Sequence, residues 1–291
     1  MIATPWESKD YHRLQVVVTN TDHAVLEPFE RRWGGASTYN EGGPFRPSWR
    51  WACSGMTAAE LARDLLPYSV TKKEVCRLAC AFGQLLSPCH STVTDENIAQ
   101  RRRLAEQMAA LKGEEFPHRC CPLVEVDEHK LRAGIYLEWA AGFADAEGLF
   151  RAYRSHRAGR HSPVYEFVVR IANVHLPSLV LFRSVVSATL GRAVGYWQDV
   201  KPTKPQHRWQ YQLVFSGQQA VRVARLLHPH LTTKQTDAEY MLLMDDLLVP
   251  GGRGKVLTSK QVAQRDELLA RFGRTRAQRN PKGGSRSAGS I

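Results

Sequence analysis

Residues 139–150 read WAAGFADAEGLF. A helix here puts Ala141, Gly142 and Ala146 where bulky apolar groups normally seal a core. It then ends on two carboxylates, Asp145 and Glu147, and a glycine, Gly148. Small residues on a helix face let a second backbone approach closely, and Gly142 and Ala146, four apart, share a face. Two such helices pressed together would bring their terminal carboxylates side by side. Carboxylates at close range hold divalent metal, and hard cations on oxygen ligands suit in-line phosphodiester hydrolysis. Alone, a Gly–Ala pair is ordinary helix packing, so its surroundings decide between the two readings.

The surroundings contain an internal repeat. Residues 54–73 (SGMTAAELARDLLPYSVTKK) and 216–235 (SGQQAVRVARLLHPHLTTKQ) agree without a gap at nine of twenty positions. Upstream, Trp49-Arg50-Trp51 faces Tyr211-Gln212-Leu213. VVVTNTDHAVLEPF (16–29) faces VVRIANVHLPSLVLF (168–182). In both, an apolar strand leads through an asparagine, Asn20 or Asn173, into an amphipathic helix. Each copy reads strand, helix, strand pair, helix. The second copy is longer at its front, with a helix over about 129–147, a strand over 148–156 and a turn, RAGRH, at 157–161. The first copy has no room for these elements.

The chain has 291 residues, enough for a full core in one or two domains. Its composition is that of a soluble globular protein, with no apolar run of membrane-spanning length and no signal-like N-terminus. Six cysteines in this length are no disulfide framework and imply a reducing compartment. Cys89-His90 and His118-Arg119-Cys120-Cys121 match no common zinc spacing and read as ordinary side chains. The formal charge of +12 suggests a polyanionic partner, but residues 251–291 hold ten Lys/Arg against Asp266 and Glu267. Most of the excess therefore belongs to the tail, and the body's charge has to be judged by placement. Residues 94–112 read as a helix, with acids in its first turn and a cation at its end. In the tail, 258–272 is a candidate helix and the remainder reads as disordered.

Set in this repeat, AAGFADAEG (140–148) resembles the LAGLIDADG motif of homing endonucleases. The resemblance covers about 129–250 through the motif helix, the following strand, the Leu190-Gly191 turn and the Pro-x-Leu-x-x-Lys stretch at 229–234. The earlier copy resembles the same half-domain without its motif. The resemblance implies an α+β fold of two pseudo-symmetric αββαββα half-domains with antiparallel DNA-binding sheets, the first incomplete. The divisions would be an incomplete half over 9–88, a helical linker over 89–128, the motif-bearing half over 129–250 and a basic, largely disordered tail over 251–291.

The resemblance also implies roles. Glu147 would bind the catalytic metal, Mg²⁺ or another divalent cation, with the Ala146 carbonyl assisting. Asp145 would be structural, and Gly142, Ala146 and Gly148 would shape the motif helix. Lys234 and Lys72 would support the reacting phosphate or water, their bland alternative being helix C-terminal cations. Asn173, with Asn20 in the first copy, would order water, its alternative being a turn residue. The implied activity is site-specific, metal-dependent cleavage of double-stranded DNA. The alternative is a nucleic-acid-binding protein of the same fold that does not cut, either an intron maturase with an RNA partner or a DNA-binding regulator. One motif where two are needed leaves four readings: a lost start, a second acid supplied by another copy in a dimer, nicking by a pseudo-two-fold monomer, or an inactive remnant. No membrane partner is implied, and an intracellular site, in an organelle or the nucleus, is the expectation.

The strands test this reading. Over 148–157, Phe150 and Ala152 point one way, and Arg151, Tyr153, Ser155 and Arg157 the other. Over 164–171, Tyr165, Phe167, Val169 and Ile171 point inward, leaving Glu166, Val168 and Arg170 outward. Over 208–215, Trp209, Tyr211, Leu213 and Phe215 oppose Arg208, Gln210 and Gln212. With Arg160 in the turn, the outer face is rich in Arg and Gln, which read base edges and hold phosphates. A merely solvated face would mix Lys, Glu and Thr. The first copy's outward set, Gln15, Val17, Thr19 and Arg50, is thinner.

Overall fold

Side-chain alternation along the strands resolves into two antiparallel sheets, each backed by helices. The computed structural model describes residues 12–41, 47–86, 94–111, 123–155, 163–200, 210–247 and 258–279, and the chain divides into units 1–119 and 120–291. None of its described helices is long and apolar enough to cross a membrane.

Unit 1 contains β1 (Gln15–Asn20), a 3-10 turn, α1 (Glu27–Trp33), β2 (Ala36–Asn40), β3 (Ser48–Ser54), α2 (Met56–Leu65), α3 (Lys73–Gln84) and α4 (Asp95–Ala110). Its three strands lie in the order β1-β3-β2. Trp51, Leu61 and Phe82 are fully buried in one core between sheet and helices. Met108 of α4 belongs to that core, and Arg101 donates to the Leu85 carbonyl just after α3. The helix expected to be part of a linker is thus integral to unit 1, because its Ala105 and Met108 are buried.

Unit 2 contains α5 (Glu128–Arg132), α6 (Ile135–Glu147), β4 (Gly148–Ser155), β5 (Val164–Asn173), α7 (Leu176–Thr189), β6 (Tyr196–Val200), β7 (Gln210–Ser216), α8 (Gln218–Leu227), a 3-10 turn, α9 (Gln235–Asp246) and α10 (Ser259–Arg279). Its strand order is β4-β5-β7-β6. The single helix expected over 129–147 is broken, since Ala133 caps α5 and Gly134 starts α6. The tail expected to be largely disordered contributes all of α10, which buries Arg265 and Phe272.

The order β1-β3-β2 matches β5-β7-β6, and so does the register. Asn20 lies opposite Trp49 as Asn173 lies opposite Tyr211, and Gln15 opposite Ser54 as Val168 lies opposite Ser216. Unit 1 has no counterpart of α6 and β4 among its described residues. The glycine shared by the two copies has a backbone cause. Gly55 (φ 65°, ψ −134°) and Gly217 (φ 56°, ψ −133°) turn a strand directly into a helix. This region is essentially closed to residues with a Cβ. Each glycine also ties the turn back to the neighbouring strand, Gly55 N–H to Leu14 C=O and Gly217 N–H to Phe167 C=O.

Gly217→Ala should therefore cost about 1–3 kcal/mol. Gly142→Ala, where an added Cβ meets nothing within 4 Å, should be neutral or stabilising. Urea denaturation of both variants checks this, and equal losses would contradict it.

Candidate functional site

Helix α6 is apolar on nearly every side, as a helix enclosed by other elements would be. Tyr136, Ala140, Ala141 and Ala144 are buried. Phe143 packs against Phe182 of α7, with ring centroids 6.0 Å apart, and stacks on Trp139 at 5.5 Å. The chain leaves α6 for β4 without a loop. Gly148 makes this possible, since a Cβ there would lie 2.3 Å from the Ala144 carbonyl oxygen. On another side, Gly142 and Ala146 are exposed, with open space around Gly142. The close-packed helix pair expected on this face is not present among the described residues. Its physical reason is that unit 1 has no counterpart of α6 among its described residues.

The two acids at the end of α6 have different surroundings. Asp145 accepts hydrogen bonds from the Thr232 N–H (2.7 Å), the Lys234 N–H (2.8 Å) and the Thr233 hydroxyl (3.0 Å). It thereby ties the start of α9 to the end of α6. The Glu147 carboxylate receives no hydrogen bond among the described residues. Part of its side chain meets solvent, yet enough protein surrounds the carboxyl that burial raises its pKa, while the Lys234 ammonium acts in the opposite direction.

Lys234 and Lys72 are the N-cap residues of α9 and α3. The alternative of C-terminal helix cations fails, because both stand at N-termini, where the helix dipole disfavours positive charge. Helix stability therefore does not explain either lysine. Lys234 lies in the electrostatic reach of Glu147, whereas Lys72 belongs to a unit without a described equivalent of that acid. Asn173 Oδ1 accepts from the His175 N–H at 2.8 Å, and Asn20 Oδ1 from the Asp22 N–H at 2.9 Å. Their amide oxygens thus close equivalent turns at the strand-to-helix step.

The expected alternation is present in unit 2. Phe150, Ala152, Tyr165, Phe167, Val169, Ile171, Tyr211, Leu213 and Phe215 are all buried. On the other face, the Arg151 guanidinium lies 5.3 Å from the Tyr153 ring centre, and the Tyr153 hydroxyl donates to Glu166 at 2.8 Å. Arg170 stands between Leu149 and Val214 in the ladder, with a buried Nε that has no hydrogen-bond partner. Ser155, Gln210 and Gln212 share this face. Gln198 of β6 joins them opposite Gln212, a residue the sequence pattern missed because YWQDV is too short to show its period. Arg157, Arg160 and Arg208 lie outside the described residues, as do Cys89, His90, His118, Cys120 and Cys121. No group of three His, Cys, Asp or Glu side chains suited to a metal occurs among the described residues. In unit 1 the corresponding face carries Val17 beside Ala52, and Arg50 between Thr19 and Thr38, a sparser set.

No protein-family model and no curated protein matches the sequence. Solved structures do. The meganuclease I-SmaMI bound to uncleaveable DNA matches with a TM-score of 0.57 at 17% identity, over 89% of this chain and 86% of that one. The LAGLIDADG homing endonuclease I-GzeII in complex with its DNA target gives 0.57 at 13% identity, over 91% and 90%. The chain has the LAGLIDADG homing endonuclease fold. The expectation of an α+β chain with two antiparallel sheets stands.

The two acids should respond oppositely to neutralisation. Asp145→Asn weakens bonds from three donors and should cost about 2 kcal/mol. Glu147 is different, because its raised pKa means that the fold favours the protonated form. That stability is fully present below the ordinary value of 4.5 and is lost as pH rises through the raised folded value. Glu147→Gln should therefore be as stable as the parent or more so at pH 7, with the advantage fading in acid. Denaturation at both pH values checks this, and a Glu147→Gln loss matching that of Asp145→Asn would contradict it.

Proposed function

We propose that the protein is a site-specific DNA-binding endonuclease of the homing type, in which unit 2 carries one divalent-metal phosphodiesterase centre at Glu147. The observation that carries this reading is the Glu147 carboxylate, unbonded among the described residues and within electrostatic reach of a lysine whose backbone is fastened to α6 by Asp145. A protein built for stability alone would gain nothing from an acid with a raised pKa in electrostatic reach of a lysine at a helix N-terminus. The Arg- and Gln-bearing outer face of β4-β5-β7-β6 supports duplex DNA as the partner. So does the presence of DNA in the I-SmaMI and I-GzeII structures.

The residues at the end of α6 fit a divalent cation in part. Mg²⁺ is commonly held by one or two carboxylates together with substrate phosphates and water. Glu147 would supply the carboxylate. Ala146, among the last carbonyls of α6 and so without an intrahelical partner, would supply a second oxygen. The ion would bring Lewis-acid activation of water and of the leaving oxygen. Lys234 would hold a phosphate oxygen by its charge, and Asp145 would keep Lys234 in place. Asn173, whose amide oxygen is committed to a turn, has a lesser claim to ordering water. We read the two units as copies of one half-domain, with Lys72 as a relic of the second centre. One carboxylate then implies nicking of one strand. A double-strand cut would need a second Glu147, brought by another copy at the open face of α6.

A second reading, a DNA- or RNA-binding protein that does not cut, is favoured by the absence of a three-ligand cluster among the described residues. Incubating the protein with a supercoiled plasmid library and Mg²⁺ separates the two. The parent should give nicked circles, Glu147→Gln none, and Lys234→Ala about a hundredfold less, with binding retained in all three. Intact binding without nicking supports the second reading, and equal product from Glu147→Gln excludes the proposed chemistry. Binding should also weaken with salt, by about 0.9 log units per log unit of salt for each phosphate contacted.

A further inference from the structure

Helix α10 spends a buried charge to hold one particular place in unit 2. Val262, Arg265, Asp266, Leu269 and Phe272 recur at helical spacing along one side of it. Phe272 meets Tyr240 of α9 with ring centroids 5.2 Å apart. Arg265 is 2% exposed, and it donates to the Leu247 carbonyl at the end of α9 at 2.6 Å. Its guanidinium lies 5.3 Å from the Tyr165 ring centre, and its Nε is buried without a partner among the described residues. Burying an incompletely bonded cation costs stability where an aliphatic side chain would cost none. The arrangement therefore serves geometry more than stability.

The geometry concerns the β4–β5 pair. Asp266 accepts from the Tyr165 hydroxyl at 2.9 Å and pairs with the Arg154 guanidinium at 2.6 Å. Arg154 and Tyr165 are direct cross-strand partners. One carboxylate thus holds both strands at one rung, from the helix-covered side of the sheet. The adjacent rungs, Tyr153–Glu166 and Ser155–Val164, project to the opposite side, with Arg151 over Tyr153. Among the described residues β4 is an edge strand with β5 as its one partner, and an edge strand has one ladder of hydrogen bonds where a central strand has two.

We propose that Asp266 is a positioning residue for sequence reading. By clasping the Arg154–Tyr165 rung it fixes the outward aim of Arg151, Tyr153 and Ser155. The inference rests on the reading of this sheet face as a DNA surface. It adds that a C-terminal helix which makes no base contact through this clasp governs discrimination at one end of the site.

The test selects bound sites from a randomised duplex library with the full chain and with Asp266→Ala, Asp266→Glu and Tyr165→Phe. For Asp266→Ala, discrimination should fall about fivefold at one run of adjacent base pairs and stay unchanged elsewhere. Asp266→Glu should restore part of it. Tyr165→Phe, which keeps the ring beside Arg265 and loses only the hydroxyl, should lose discrimination at the same run to a smaller degree. Thermal unfolding accompanies each variant. If Asp266→Ala does not fold, Tyr165→Phe decides by the same criterion. A uniform loss across the site, or no loss in a folded variant, overturns the proposal while leaving DNA reading intact. A parent chain that selects no sequence overturns both.

Discussion

Asp145 is the constraint on which the proposed centre depends. Helix α6 and the start of α9 are far apart in sequence, and the carboxylate at the end of one binds three donors at the start of the other. Charge-assisted bonds of this kind are shorter and stronger than neutral ones. They fix where Lys234 starts α9, and hence where its ammonium can act. Glu147, two residues on, has no such partners among the described residues. The two acids thus have different surroundings, one holding two elements together and one proposed for chemistry. The difference comes from surroundings, since the two side chains have nearly the same intrinsic acidity.

The second constraint is the glycine that follows. Gly148 lets α6 end one residue before β4 begins, because any Cβ would strike the Ala144 carbonyl. The acid is thereby placed at the root of the sheet whose outer face carries Arg151 and Arg170. A longer connection would separate the proposed chemistry from the proposed reading surface. In unit 1 the elements that would build such a root are not among those described, and Lys72 caps its helix with no comparable acid among the described residues. Among the described residues the units share strand order and register and differ in those opening elements.

Much of this was legible in residues alone, for reasons that can be stated. The repeat was readable because Gly55 and Gly217 obey a backbone restriction and because Asn20 and Asn173 close the same turn. Strand faces were readable because burial on one side enforces a period of two. Three things were not readable. The break at Gly134 depends on one left-handed residue inside an otherwise helical pattern. The N-terminal placement of Lys72 and Lys234 depends on where a loop stops, and boundaries are the least certain part of a pattern. The role of α10 depends on Asp266 meeting Arg154 and Tyr165 across more than a hundred residues, which no local signal encodes.

The ionisation of Glu147 tests the centre most directly. Its side-chain carboxyl can be titrated by carbon-13 NMR in the parent and in Lys234→Gln. The arrangement described requires a pKa above 4.5 in the parent and a higher one once the lysine charge is gone. A value at or below 4.5 that does not move in Lys234→Gln would show that the two residues do not form a site.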